Sequence, residues 1–242
     1  MKRVVYGIIK SIRKFLTEKL HSEDSRLPYF ITIIISLVVV VVGINLFIEL
    51  TDTLKTDTLA KYDTDITNFI ISYRNPALTK YFIFVTDVGD VRGYLIVLGL
   101  FVILSWRILK SWKYVLQSAV VLALATLSNM ALKRFIDRAR PGIEHLVSVE
   151  TLSYPSGHAM SAMAFFGFLI YLISKLRINK VLKYTLMVLF AFLILSIGIS
   201  RIYLGVHFPS DIAGGFIAGF IWVVFCVLIF DVIQIFRRDP KV

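Results

Sequence analysis

The stretch from Tyr29 to Leu50 constrains this chain more than any other feature. It is 22 residues rich in Ile and Val, broken only mildly by Gly43 and Asn45. A helix needs roughly 20 mostly apolar residues to cross the hydrocarbon of a bilayer. Similar runs recur at Val115–Leu132, Gly157–Leu176, Val181–Ser200 and Ile212–Phe236, with a shorter one at Val91–Trp106. Together they raise the hydrophobic share to 57% and leave only 18% charged residues, where a soluble domain has about 45–50% and about 25%. A soluble chain of 242 residues cannot bury so much apolar surface and still wet its exterior. The expected fold is all-α: a polytopic membrane protein with six transmembrane helices. The single cysteine, Cys226, excludes a disulfide framework and a cysteine-based zinc site.

A net charge of +11 on a soluble protein would point to nucleic acid. Here the basic residues follow the spans. They gather before the first (Lys2, Arg3, Lys10, Arg13, Lys14, Lys19, Arg26), between the second and third (Arg107, Lys110, Lys113), between the fourth and fifth (Lys175, Arg177, Lys180, Lys183) and after the sixth (Arg237, Arg238, Lys241). By the positive-inside rule these segments are cytoplasmic, with both termini inside a multi-pass plasma-membrane protein. Charge is thus a topology signal, and no nucleic-acid partner is expected. Residues 1–28 form a basic arm, 29–236 the six-span domain and 237–242 a cytoplasmic tail.

Two segments outside the spans are amphipathic. In the arm, Val5, Ile8, Ile9, Ile12, Phe15 and Leu16 recur at helical spacing among lysines and arginines, as in a helix lying on the inner leaflet. No small-residue cleavage site follows Leu50, so a signal peptide is not expected. In the first outer loop, about Thr51–Arg92, the residues Ile66, Phe69, Ile70 and Tyr73 share a helical face that Pro76 is expected to end. This face would rest on the outer membrane surface.

The outer side is poor in basic residues, yet Lys133, Arg134, Arg138 and Arg140 crowd into eight positions after the third span, and Arg201 ends the fifth. Charge so close to hydrocarbon is costly and is usually functional or paired. Arg134 and Arg138 fit headgroup anchoring as well as they fit a site. Lys133 and Arg140 lie two helical turns apart, so a helix stopped by Pro141 would turn both to one side, where a point charge and a planar fork suit a phosphate. Next comes Tyr154-Pro155-Ser156-Gly157-His158, leading straight into the fourth span. A helix N-terminus offers free N–H groups to an anion, Ser156 supplies either a hydroxyl donor or an ordinary N-cap, and His158 stands beside whatever binds. The last segment runs Ser200-Arg201, then His207, then Asp211. If it is helical, the Asp211 carboxylate can reach the His207 imidazole and fix its tautomer; otherwise Asp211 caps the sixth span and His207 is a loop residue.

Lys133…Arg140-Pro141, Pro155-Ser156-Gly157-His158 and Ser200-Arg201…His207…Asp211 together resemble the three-part signature of the type 2 phosphatidic acid phosphatase family. That superfamily also holds vanadium-dependent haloperoxidases and glucose-6-phosphatase. The resemblance implies a metal-independent lipid phosphatase without cofactor. Lys133, Arg140, Arg201, Ser156 and the Gly157 N–H would hold the phosphoryl oxygens. His207 would attack to form a phosphohistidine, oriented by Asp211, and His158 would protonate the leaving oxygen and then activate water.

The site would lie extracytoplasmically at headgroup depth, so the substrate would be a membrane lipid phosphate. Among bacterial relatives the usual substrates are undecaprenyl pyrophosphate and phosphatidylglycerol phosphate. Competing readings are a lipid phosphotransferase sharing every motif, a membrane anion transporter, and a haloperoxidase, though those relatives are soluble. Gly215 and Gly219 read as a close helix–helix contact within one chain. A monomer is compatible with the sequence.

Overall fold

A computed structural model of the chain describes residues 27–109, 111–149 and 152–238; the amphipathic helix expected in the basic arm lies outside the described residues. Eight α-helices follow in order: α1 (Leu27–Thr53), α2 (Asp57–Ile71), α3 (Pro76–Val88), α4 (Val91–Leu104), α5 (Lys113–Phe135), α6 (Gly157–Lys175), α7 (Lys180–Tyr203) and α8 (Pro209–Arg238). No strand occurs among the described residues. The protein is an all-α membrane protein. Five helices are long and apolar enough to cross a bilayer, and α3 with α4 make a sixth candidate, bent by 62° at their junction. The shortest expected span, Val91–Trp106, is the lower arm of this bent pair, which continues into a π-helical turn at Ser105–Leu109.

Between the first two spans the chain is more ordered than its sequence suggests. Pro76 does not end the amphipathic helix. That helix stops at Ile71, and Pro76 opens α3 behind the N-cap Asn75, whose side chain accepts from the Leu78 N–H; proline is pre-shaped for a first helical position. The apolar face of α2 also differs in one member. Tyr62, Ile66, Phe69 and Tyr73 point outward, whereas Ile70 packs inward against Ile202, Ile212 and Leu204. Positions 63, 67 and 70 make the inner face, so α2 turns Asp63 and Thr67 into the protein, both buried.

At the centre stands α6, packed on α5, α7 and α8, while α1 lies along the outer side of α8. The α6 core is aromatic: Phe165, Phe166 and Phe168 are fully buried, and Tyr94 of α4 meets the first two rings edge-on and tilted. The outer faces are apolar instead of polar, with Ile34, Val38, Leu95, Leu100, Val188 and Phe192 all exposed. Such an exterior has lipid as its natural solvent. Polar groups within α1 are satisfied locally, Asn45 donating to the Val41 carbonyl and Thr51 to the Phe47 carbonyl.

The Gly215/Gly219 pair is an internal contact, as expected. A Cβ at Gly215 would stand 2.7 Å from the Ser156 carbonyl oxygen, and one at Gly219 would stand 2.5 Å from that of Met160. Helices α6 and α8 therefore meet backbone to backbone. Gly219→Val must push them apart, at a cost of about 1–3 kcal/mol, and is expected to lower the thermal midpoint of the detergent-purified protein, read by tryptophan fluorescence.

Candidate active site

The three polar segments come together at one end of the bundle, where α5 and α7 finish and α6 and α8 begin. The expected route for the first differs in detail. Helix α5 ends at Phe135 with Ile136 extended as its cap, so Lys133 and Arg140 do not share a helix and Pro141 stops nothing. They converge through the loop: Lys133 Nζ donates to the Leu152 carbonyl at 2.8 Å, and Arg140 Nη2 reaches the same oxygen at 3.4 Å.

His207 owes its place to a turn, not to helical spacing. Gly205 takes φ +81°, a left-handed conformation that glycine adopts without penalty. The reversal lets the Val206 and His207 N–H groups both donate to the Arg201 carbonyl, at 3.1 and 3.2 Å. The imidazole is buried between two charged partners. Its Nδ1 lies 3.3 Å from Asp211 Oδ2, and its Nε2 faces Arg140 Nη1 at 3.3 Å, a guanidinium nitrogen that also donates to the Val206 carbonyl at 2.6 Å. With Nδ1–H donated to the carboxylate, Nε2 carries the free lone pair. Burial pushes the His207 pKa down to about 4, against the upward pull of Asp211 and with the downward push of Arg201 and Arg140. The ring is therefore neutral across the physiological range.

Asp211 is both a cap and an orienter. Its Oδ2 accepts from the Phe208 N–H at 2.8 Å, from the Ser153 hydroxyl and from His207; its Oδ1 receives Arg138 Nη1. Ser156 caps α6, accepting from the Ala159 N–H, and its own N–H donates to the Asp211 carbonyl. As a cap its oxygen is engaged while its proton remains free to donate. The Gly157 position is pressed against Asn129, whose Oδ1 would lie 2.9 Å from a Cβ there, and Asn129 holds the Pro155 carbonyl at 3.0 Å. Arg201, also buried, donates from Nη1 to Thr86 at 2.7 Å, while its Nε has no protein partner. His158 lies within the fields of Arg201, His207, Lys133 and Arg140. A pocket of about 570 Å³ opens beside Lys133 and Arg140, walled by Met130, Val149 and Leu152.

A cationic end of an apolar bundle, with an imidazole aimed among its cations, is suited to an anion with an electrophilic centre. The profile of the PAP2 superfamily matches residues 114–234, the stretch that carries every group just described except Thr86. Phosphatidylglycerophosphatase B of Bacillus subtilis (strain 168) is 32% identical over 191 residues, covering 76% of this chain and 91% of that protein. The chain belongs to the PAP2 superfamily. Its fold is similar to the crystal structure of a transmembrane PAP2 type phosphatidylglycerolphosphate phosphatase from Bacillus subtilis, with TM-score 0.73 and 27% identity over 80% of this chain and 96% of that one. It is also similar to Aquifex aeolicus LpxE, at TM-score 0.54 and 26% identity over 68% and 93% of the two chains.

Around the PAP2 motifs the structure adds four residues that the sequence reading passed over or left open. Ser153 bridges His207 Nδ1 and Asp211. Thr86 holds Arg201. Arg138 is no headgroup anchor: its guanidinium lies between Asp211 and Asp63, 2.7 Å from the latter's Oδ2. Asp63 in turn accepts the Ser210 N–H at 2.9 Å. Arg134, by contrast, stays exposed at the pocket wall.

A histidine kept neutral by burial ties stability to pH. Its folded value of about 4 lies below the ordinary 6.5, so below pH 6.5 the unfolded chain binds a proton that the folded one refuses. Stability is full above 6.5 and falls as pH drops toward 4, by on the order of 3 kcal/mol at most. His207→Gln is expected to flatten this part of the melting-temperature profile between pH 7 and pH 4.5.

Proposed function

We propose that this PAP2 membrane protein is a phosphatase that hydrolyses a lipid phosphate monoester or pyrophosphate at the outer face of the membrane, through a phosphohistidine on His207. The observation that carries the reading is the convergence of Lys133, Arg140 and Arg201 around an imidazole whose Nδ1 is held by Asp211. Fixed cations aimed at the phosphoryl oxygens stabilise the charge of a five-coordinate transition state. His207 Nε2 attacks phosphorus as the P–O bond to the lipid breaks, and Asp211 balances the positive ring that results. His158 gives its proton to the departing oxygen, then takes one from the water that attacks the phosphohistidine and frees inorganic phosphate. Ser156 and the N–H of Gly157, ahead of the first turn of α6, complete the oxyanion cradle.

Position supports a lipid substrate. The pocket opens next to Met130, which is 55% exposed on the outer face of α5, so a chain can stay in hydrocarbon while its phosphate reaches Lys133 and Arg140. Orientation follows from charge: Arg107, Lys113, Lys175, Arg177, Lys180 and Lys183 lie at the end of the bundle opposite the site, which the positive-inside rule assigns to the cytoplasm. Phosphatidylglycerol phosphate and undecaprenyl pyrophosphate are the substrates we favour, the first in keeping with the name of the Bacillus relative.

Three measurements test this on purified protein. His207→Ala is expected to lower phosphate release by about a thousandfold or more and to abolish an acid-labile phosphoenzyme trapped from labelled substrate, while melting as a folded protein. Activity is expected to persist in chelator and to be blocked by vanadate; strict dependence on added magnesium would count against the scheme. Because burial holds His207 near 4, the acid limb of kcat/KM due to the nucleophile is expected well below pH 6.5. Transfer of phosphate to an added alcohol in preference to water would mark a phosphotransferase instead.

A further inference from the structure

We propose that Asp63, on the outer helix α2, is a positioning residue for the nucleophile: by sharing the Arg138 guanidinium with Asp211 it keeps that carboxylate oriented and anionic toward His207. The inference rests on the reading of His207 as nucleophile and adds to it a residue from outside the three motifs.

The geometry is a closed chain of contacts. Arg138 offers Nη1 to Asp211 Oδ1 and Nη2 to Asp63 Oδ2. Asp63 also takes the N–H and the hydroxyl of Ser210, the residue before Asp211. One carboxylate therefore fixes Asp211 twice, through the guanidinium and through the backbone beside it. Asp63 is 2% exposed and Asp211 fully buried, so neither is a surface group that happens to find a partner. A buried carboxylate with charge-assisted partners is oriented far more firmly than one in water.

Charge balance supplies the functional argument. Arg138 paired with Asp211 alone would cancel most of the negative field that His207 needs when its ring becomes cationic. With Asp63 added, the trio carries one net negative charge, and Asp211 keeps a share of it. The charged and titratable groups facing His207 are Asp211 of α8, Arg140 of the α5–α6 loop, Arg201 of α7 and His158 of α6, with Lys133 of α5 next to His158. Against these groups, which are cationic or can become so, the carboxylate of Asp211, backed through Arg138 by that of Asp63, supplies opposing charge.

The test uses the full chain in detergent with dioctanoyl phosphatidic acid as probe. Asp63→Asn keeps the side-chain size and an oxygen for the Ser210 N–H but loses the charge. It is expected to lower kcat about tenfold or more with KM changed less than about threefold, as for a group that acts in the transition state. Arg138→Gln uncovers both carboxylates and is expected to raise the acid limb of kcat/KM by about one pH unit, and the double variant to return it toward the parent. Packing alone would not move the limb up and then back. Parental kcat in Asp63→Asn, or an unmoved limb in Arg138→Gln, overturns the proposal. So does failure of all three variants to fold, which would confine the trio to stability. A parent chain that releases no phosphate from the probe or from other phosphorylated lipids overturns the functional reading and this role with it; an active parent with indifferent variants overturns only the role of Asp63.

Discussion

Everything at the active end of this bundle depends on how the Asp211 carboxylate is paired. It is fully buried, and a lone carboxylate there would cost several kcal/mol or simply take up a proton. Instead it accepts from Arg138, the Ser153 hydroxyl, the Phe208 N–H and His207 Nδ1. The donors come from three stretches: Arg138 from the chain after α5, Ser153 from the approach to α6, and His207 and Phe208 from the turn between α7 and α8. One anion thereby ties together three segments, which Ser153 reinforces by donating its N–H to the Arg138 carbonyl and meeting His207 Nδ1 with its hydroxyl. The same pairing leaves His207 Nε2 pointing at Arg140, so the group that holds the end of the bundle together also determines which ring nitrogen keeps its lone pair.

The cations obey a related rule. Lys133 and Arg140 rest on one carbonyl, Leu152, and Arg201 on Thr86. Carbonyl and hydroxyl oxygens orient a cation without neutralising it, whereas a carboxylate would cancel its attraction for phosphate. Arg138 is clamped between two carboxylates, Asp63 and Asp211, so its charge is balanced within the protein.

Much of this was legible in the sequence because charge inside an apolar chain has few reasons to exist. The spans followed from length and hydropathy, and the residues Lys133, Arg140, Ser156, Gly157, His158, Arg201, His207 and Asp211 stood out as polar groups at span ends. The paths that bring them together were not legible. Helix α5 stops at Phe135 without a glycine or proline to announce it, and the turn that places His207 depends on one left-handed residue, Gly205. Nothing in the letters separated Arg138 from Arg134, since only its tertiary partners, Asp63 of α2 and Ser210 and Asp211 of α8, distinguish it. Asp63 is one of several acids in a helix whose apolar face drew attention outward. The available signal was periodicity: Tyr62, Ile66, Phe69 and Tyr73 line one side, which leaves Asp63 and Thr67 facing the other way.

The contact of α6 with α8 has a further consequence. With glycine at 215 and 219, the separation between the two axes at this end of the pair is set largely by the hard-sphere radii of main-chain atoms. The N-terminal end of α6 and the carboxylate on α8 are thus mounted on a single stiff rail. A change in bilayer thickness or lateral pressure would then tilt that rail as a unit more readily than it would alter the gauge at its glycine end.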